Sequence, residues 1–284
     1  MPDPTAEPAD WVRVIITVDT GRDPAAPEIA SAVLWAAGAA GVEEQESGPD
    51  IRLIGGFADA VAAARAAEQA TSAGFGATVE TIDDDGLDAW RAWAEPVRAG
   101  RFWIAPPWVD PPDTGPGEEI LWIDPGATFG SGSHATTRLV LALLDDLVGA
   151  GTTVLDAGCG SGVLAIGAAR LGADAVATDI DPASPEVVAA NAERNQVAAA
   201  VRTTTDTVGT LAASGLRVDV VAANLLAPVI RDLGADLVRC VAPGGALILS
   251  GLLADRWADT VPAVAPLRAD RVVEEDGWVA VVLR

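Results

Sequence analysis

The sequence predicts a small α+β domain followed by an α/β domain with a doubly wound, mostly parallel sheet. Residues 1–82 show the element order β-α-β-β-α-β, which is that of a ferredoxin-like domain. Across residues 119–284, apolar strand-like runs alternate with helical runs, as in a sheet covered by helices on both faces. One of these strands, beginning at Val154, runs into a turn with three alternating glycines and then into a helix. We expect this Rossmann-like unit to carry the ligand site.

The first domain is predicted from β-branched strands and alanine-rich helices. A strand at 11–18 is rich in valine and isoleucine. A helix at 27–40 has Pro27 in its first turn and Gly41 directly after it. The other predicted elements are strands at 42–46, 51–54 and 77–82 and a helix at 58–73. We expect the domain to dock a substrate, with a purely structural cap as the alternative.

Residues 83–118 are predicted to link the two domains. Five prolines between residues 106 and 116 exclude a long helix there. Four of the nine tryptophans lie between residues 90 and 108. We expect these aromatic side chains to tie the linker to the core, and a contribution to a substrate channel is the alternative.

The second domain is predicted to alternate strands and helices. Its strands begin at Val154 and lie at 120–123, 175–177, 197–203, 218–223, 246–250 and 278–283. Its helices lie at 138–147, 163–169, 182–195, 228–241 and 256–264. Ligands of such sheets bind at the carboxyl ends of the strands, where Gly158, Asp179 and Asn224 are expected to meet.

The glycine turn at Gly158, Gly160 and Gly162 is the strongest ligand signal in the sequence. Glycine lets the backbone approach a ligand closely and adopts positive φ without strain. Asp179 follows the next strand, about twenty residues later, which is the position of an acid that binds ribose hydroxyls. A cap on the following helix is the alternative role for Asp179, and a turn without a ligand is the alternative for the glycines.

The spacing Gly-x-Gly-x-Gly differs from the Gly-x-Gly-x-x-Gly pattern of dinucleotide-binding proteins. Asp156, two residues before the first glycine, would repel a pyrophosphate but attract the ammonium of a methionine tail, directly or through water. The pattern therefore favours S-adenosylmethionine as the cofactor. An NAD-dependent oxidoreductase and a non-catalytic protein that binds S-adenosylmethionine are the alternatives from other classes.

A second glycine-rich turn, at 124–137, holds His134, the only histidine of the chain. Thr136 and Thr137 follow it and are predicted to cap the helix at 138–147. His134 is a candidate catalytic base. The alternative is that it fixes the turn, or the methionine end of the cofactor, by hydrogen bonds.

The amino-acid composition limits the kinds of partner that the protein is expected to bind. The formal net charge of −23 disfavours a nucleic-acid partner, because binding phosphates needs clustered lysine and arginine. This negative charge suits a basic protein substrate. Adaptation of the whole proteome to salt would explain the acidic composition equally well. All 18 basic residues are arginine and there is no tyrosine, so neither lysine nor tyrosine can serve as a catalytic base.

The sequence also indicates the cellular compartment in which the protein is expected. No apolar run reaches the roughly 20 residues of a membrane span, and residues 1–8 lack the basic start and apolar core of a signal peptide. Two cysteines, Cys159 and Cys240, indicate a reducing compartment. We expect a cytoplasmic protein that is a monomer, binds no membrane and holds no metal.

Several motifs together resemble one family. They are Asp124–Thr137, Leu155–Gly162, Asp179–Pro182, Asn191–Asn195, Asn224–Ala227, Pro243–Gly245 and Ser250–Gly251. This set is similar to that of the bacterial methyltransferases that modify large-subunit ribosomal protein eleven. Two positions depart from the family pattern: Ser131 replaces a usual threonine, and Ala135 replaces a frequent proline.

The resemblance implies a class I methyltransferase fold with S-adenosylmethionine as donor. It implies N-methylation of lysine ε-amines and of the N-terminal α-amine of the ribosomal protein, and the same chemistry on another protein or a small amine is the alternative. The residues we assign to the cofactor site are Phe129, Thr137, Asp156, Gly158, Gly160, Gly162, Asp179 and Asn224. The candidate catalytic residues are Asn224 and His134.

Asn224 is the residue we expect to handle the amine. Its side-chain carbonyl, or a backbone carbonyl such as that of Leu225, would accept the amine N–H bonds and aim the lone pair. Many amino-methyltransferases place an aromatic residue shortly after this asparagine to stack a planar base or amide. Leu225, Leu226 and Ala227 follow here instead, which favours a flexible aliphatic amine.

Overall fold

The fold is taken from a computed structural model that describes residues 12–19, 26–39, 41–47, 50–57, 60–81, 95–125, 128 and 132–284. The chain divides into two compact units, residues 1–94 and 95–284. In the described ranges, no helix is both long enough and apolar enough to cross a membrane.

The first unit has the predicted ferredoxin-like order. Its elements are β1 (Val12–Asp19), α1 (Ala26–Ala36), β2 (Gly41–Ser47), β3 (Asp50–Phe57), α2 (Ala60–Ser72) and β4 (Ala77–Thr81). The sheet order is β2-β3-β1-β4, and every pairing is antiparallel. Val14 and Ile16, two residues apart on β1, are fully buried with Ala63, Ala66 and Ala70 of α2. Side chains two residues apart on β1 and three or four apart on α2 share a face, so the apolar face of the strand packs against the apolar face of the helix.

The second unit begins with a small sheet and continues into a large one. The small sheet contains β5 (Val97–Ala99), β6 (Phe102–Ala105) and β7 (Glu119–Trp122). The helices that follow are α3 (Ala135–Leu147), α4 (Val163–Arg170), α5 (Ser184–Arg194), α6 (Val208–Ala213), α7 (Ala227–Cys240) and a 3₁₀ helix (Trp257–Val264). The strands of the large sheet are β8 (Thr153–Ala157), β9 (Asp174–Thr178), β10 (Val201–Thr204), β11 (Val218–Asn224), β12 (Val241–Leu253), β13 (Ala269–Glu275) and β14 (Trp278–Leu283).

The large sheet confirms the predicted doubly wound architecture. Its order is β10-β9-β8-β11-β12-β14-β13, and all pairings are parallel except those of β14. Leu155 points into a core shared with α6 and α7, and Val154 into a core shared with α3, α4 and α5. The chain moves outward in one direction from β8 and in the other from β11. The carboxyl ends of these two neighbours therefore form the switch point where such folds bind ligands.

Several predicted elements differ from the structure. Strands β5 and β6 lie within residues 83–118, for which the sequence predicted only a linker. Pro96 lies just before β5, and the other five prolines fall after β6 and before β7, so they interrupt neither strand. The strand predicted at 197–203 is confined to Val201–Thr204. The helix predicted at 256–264 is a 3₁₀ helix with Pro262 inside it. Proline has no backbone N–H to donate, which is consistent with the absence of a regular α-helix there.

Candidate active site

The glycine turn joins the ends of β8 and β9. Gly158, Gly160 and Gly162 have φ values of 76°, 49° and 80°, which residues other than glycine rarely adopt. The backbone N–H groups of Gly158 and Cys159 both donate to the carbonyl of Thr178, at 2.8 and 3.0 Å. A Cβ at Gly158 would lie 2.4 Å from Leu225 Cδ2. The turn is therefore packed directly against the residue that follows Asn224.

Asp156 lies beneath this turn and is fully buried. Its Oδ2 accepts from the backbone N–H of Ala165 at 3.0 Å, and Oδ1 has no hydrogen-bond partner among the described residues. Burial, with a smaller contribution from Asp179, raises the pKa of Asp156 to about 7. The side chain is bonded to the first turns of helix α4 and is closed to solvent in this structure.

Asp179 follows β9 and is bonded to the glycine turn. Its Oδ2 accepts from Gly160 N at 2.8 Å, and its Oδ1 accepts from Asp181 N at 3.0 Å. Asp181 Oδ1 in turn accepts from Ala183 N at 2.9 Å, one residue before α5. Asp181, rather than Asp179, thus bonds the backbone at the start of the helix. This arrangement weakens the capping alternative for Asp179.

Asn224 ends β11 beside the first turn of α3. Its Nδ2 donates to Thr136 Oγ1 at 3.1 Å and to Thr137 Oγ1 at 3.3 Å. No group in the described ranges donates to Asn224 Oδ1, which leaves this acceptor for an external donor. Thr137, which the sequence predicts to bind the cofactor, is 6% exposed, and its hydroxyl accepts from Asn224.

His134 caps helix α3. It has extended backbone angles, and its Nδ1 accepts from Thr136 N at 3.3 Å and lies 2.8 Å from Thr136 Oγ1. The sequence prediction that Thr136 or Thr137 is the cap is wrong by two or three residues, because α3 begins at Ala135. The imidazole ring also packs edge-on against Trp278, with ring centroids 5.0 Å apart. Partial burial, with a smaller effect of Arg138, lowers the pKa of His134.

A family model described as ribosomal protein L11 methyltransferase (PrmA) matches residues 50–284. The chain belongs to this family. A ribosomal protein L11 methyltransferase from Pelotomaculum thermopropionicum is 42% identical over 205 residues, covering 71% of this chain and 66% of that protein. One from Cupriavidus metallidurans is 43% identical over 200 residues, covering 69% of this chain and 63% of that protein. These matches span just under two thirds of both relatives.

A solved structure supports the same assignment. The crystal structure of a ribosomal protein L11 methylase from Lactobacillus delbrueckii subsp. bulgaricus has a TM-score of 0.59 and 29% sequence identity. The match covers 65% of this chain and 94% of that one. The family resemblance stated from the sequence motifs is therefore confirmed, together with the fold.

Two asparagines that the sequence connected only with the family motif have a clear structural role. Asn191, on α5, and Asn195, directly after its last residue, are 0% and 4% exposed. Their side-chain amides bond the backbone of Asp124 and Trp122, at the beginning of the turn that leads to His134. The signal in the sequence was a pair of asparagines four residues apart on a predicted helix, which places both on one face. Phe129, predicted to bind the cofactor, lies outside the described residues.

Proposed function

We propose that this chain is an S-adenosylmethionine-dependent N-methyltransferase of ribosomal protein L11. The acceptors would be lysine ε-amines and the N-terminal α-amine. The observation that carries the proposal is the placement of Asn224 at the switch point, with its Nδ2 held by two threonines and its Oδ1 available. Family membership and the structural match support the same chemistry.

The residues at the switch point fit the cofactor. Asp179 offers two carboxylate oxygens, and each can accept a ribose hydroxyl in addition to its present bond. The buried Oδ1 of Asp156 has no partner among the described residues. With a pKa of about 7, the carboxyl would provide negative potential beneath the turn for a cationic methionine tail in its ionised form. Gly158 and Gly160 allow close backbone approach. When bound, S-adenosylmethionine supplies an activated methyl carbon on its sulfonium.

Asn224 orients the acceptor amine. A lysine ammonium, with a pKa of about 10.4, must release a proton to solvent water before its lone pair can attack. Asn224 Oδ1 would then accept one N–H of the neutral amine, and a backbone carbonyl such as that of Leu225 would accept another. Two acceptors fix the direction of the lone pair, which is the protein's main contribution to an in-line displacement. The methyl carbon then bonds to nitrogen as its bond to sulfur breaks, and S-adenosylhomocysteine leaves. The aliphatic residues after Asn224 suit a flexible amine.

His134 takes the capping role in this proposal. Thr136 Oγ1 accepts a hydrogen bond from Asn224 Nδ2, and Thr136 N donates to His134 Nδ1. Nδ1 is therefore an acceptor, and the hydroxyl of Thr136 donates to it as well. The neutral ring then carries its proton on Nε2. Protonation at Nδ1 would break the cap, which makes His134 poorly suited to accept the substrate proton.

The first unit is the proposed docking domain. Its predicted range is 1–82, and the residues described in it form a complete four-stranded sheet with two helices. The net charge of −23 favours a basic partner such as a ribosomal protein. We propose that the chain works as a monomer in the cytoplasm, and its two cysteines, both free and buried, agree with a reducing compartment.

Mass spectrometry tests the proposal. Purified ribosomal protein L11 is incubated with the protein and S-adenosylmethionine, and its mass is expected to rise in steps of one methylene. Asn224→Ala should abolish the rise, whereas Arg239→Ala, which removes only an exposed ion pair with Asp236, should not. Cofactor binding without any gain in mass would redirect the proposal to another protein or a small amine. Absence of cofactor binding would overturn it.

A further inference from the structure

Two buried amides fasten helix α5 to the segment that follows β7. Asn195 Oδ1 accepts from Trp122 N at 2.9 Å, and its Nδ2 donates to Trp122 O at 2.7 Å. Asn191 Oδ1 accepts from Asp124 N at 3.0 Å, and its Nδ2 donates to Asp124 O at 2.8 Å. Each amide thus pairs with both polar groups of one residue, as a neighbouring strand would. The end of β7 is therefore bonded both to strand β6, through Ala105, and to these two amides.

Asn191 makes one contact that Asn195 does not. Its second Nδ2 proton is donated to the carbonyl of Ser161, inside the glycine turn, at 3.1 Å. Its Oδ1 also accepts from Arg194 Nη1 at 2.6 Å. Asn195 instead uses its remaining proton within α5, on the carbonyl of Asn191 at 2.8 Å. All donor and acceptor sites of Asn191 are therefore used, and they join three separate parts of the chain.

These contacts connect the two halves of the candidate site. Asp124 leads toward His134 and the threonines that hold Asn224. Ser161 lies between Gly160 and Gly162, where the backbone approaches the proposed cofactor. A fully buried amide with complete pairing is rigid, because each bond that is broken leaves an unpaired polar group in a dry environment.

We propose that Asn191 is a positioning residue that holds the glycine turn in register with the segment after β7. Asn191 itself touches neither substrate nor cofactor. The inference rests on the proposed use of S-adenosylmethionine, and it concerns cofactor affinity rather than methyl transfer. Asn195 anchors the same segment to the same helix, yet it is predicted to have no influence on the turn.

The pair Asn191→Asp and Asn195→Asp tests this directly. Each change keeps the acceptor oxygen and the size of the side chain, and each removes two N–H donors to backbone carbonyls. Both variants are expected to unfold at a lower temperature than the original protein. Only Asn191→Asp should weaken binding of S-adenosylhomocysteine, by about tenfold or more in calorimetry below the unfolding range. The affinity of Asn195→Asp should change by less than about threefold.

Equal loss of affinity in both variants, or no loss in either, would overturn the inference. Should Asn191→Asp fail to fold, hydrogen exchange on the unchanged protein decides the question. Addition of S-adenosylhomocysteine is expected to slow exchange at the amide of Asp124, which Asn191 holds, more than at the amide of Trp122, which Asn195 holds. Equal effects at the two amides, or none at Asp124, would contradict the coupling. If the unchanged protein binds no S-adenosylhomocysteine, the proposed function itself fails, which is a different result from binding with two indistinguishable variants.

Discussion

The amide nitrogen of Asn224 lies 3.1 Å from the hydroxyl of Thr136, across a sequence separation of 88 residues. The hydroxyl of Thr136 lies 2.8 Å from His134 Nδ1. One hydroxyl thus connects the end of β11 to the cap of α3. The side-chain orientation of Asn224, on which the proposed chemistry depends, is therefore tied to residues of a different element.

Thr136→Val should expose this dependence. The variant keeps the shape of the threonine but cannot accept from Asn224, so the Asn224 amide loses one of its two partners. A lost hydrogen bond of about 1 kcal/mol predicts a decrease in kcat of roughly fivefold to tenfold, with affinity for S-adenosylhomocysteine unchanged. Thr136→Ser retains the hydroxyl and should retain most of the activity. Steady-state kinetics on L11 would contradict the assignment if valine and serine behaved alike.

His134→Asn separates the capping role from a catalytic one. Asparagine is a favourable N-cap residue, so this variant should keep the stability of α3, whereas His134→Ala should lose about 1 kcal/mol. The acidic limb of the pH–rate profile, which a base with a pKa below 6.5 would produce, should be the same in His134→Asn as in the unchanged protein. An acidic limb that disappears in the asparagine variant would instead identify His134 as the base.

The pKa of His134 adds a stability test. Partial burial lowers it below 6.5, so the folded chain binds this proton less readily than the unfolded chain. The stabilising contribution is present above pH 6.5 and is lost as the pH falls through the lowered pKa. The unfolding temperature of the unchanged protein should therefore fall more steeply on acidification than that of His134→Asn. Parallel curves would argue against the cap.

Asp156 should have the opposite pH dependence. Its pKa is raised from 3.8 to about 7, so the folded state holds a proton that the unfolded state releases. Stability is then lost as the pH rises toward 7, by roughly 3 kcal/mol between pH 5 and pH 8 at about 1.4 kcal/mol per pH unit. Asp156→Asn should remove this slope. Denaturant unfolding at several pH values measures the difference between the two slopes, which is independent of any constant cost of the new amide.

The parts of this architecture that follow from local pattern could be predicted from the sequence. The order of strands places Gly158, Asp179 and Asn224 at one edge, because parallel strands have their carboxyl ends together. Strands β5 and β6 were missed, since three or four residues beside several prolines give no clear alternation. The capping role of His134 was missed because threonine is the more usual cap.

The role of Asn191 and Asn195 could not be read from residue types. Their partners are main-chain groups 67 and 73 positions away, and a backbone N–H or carbonyl leaves no signature in the sequence. The burial of Asp156 was hidden for a related reason. An acid two residues before a glycine turn can face the ligand or the helix beneath it, and only the position of Ala165 N decides between them.

Asp179→Asn tests the proposed ribose contact against a matched neighbour. Asp179 and Asp181 each accept a backbone N–H two residues ahead, at 3.0 and 2.9 Å, so both changes disturb a similar local turn. Only Asp179 is also bonded to the glycine turn, through Gly160 N. Asp179→Asn replaces an ionised acceptor by an amide and should weaken binding of S-adenosylhomocysteine by about tenfold to a hundredfold, since hydrogen bonds to charged groups contribute about 1.5–3 kcal/mol. Asp181→Asn should leave the affinity within about threefold. Calorimetry on the two variants would favour the helix-capping role if their affinities fell together with their unfolding temperatures.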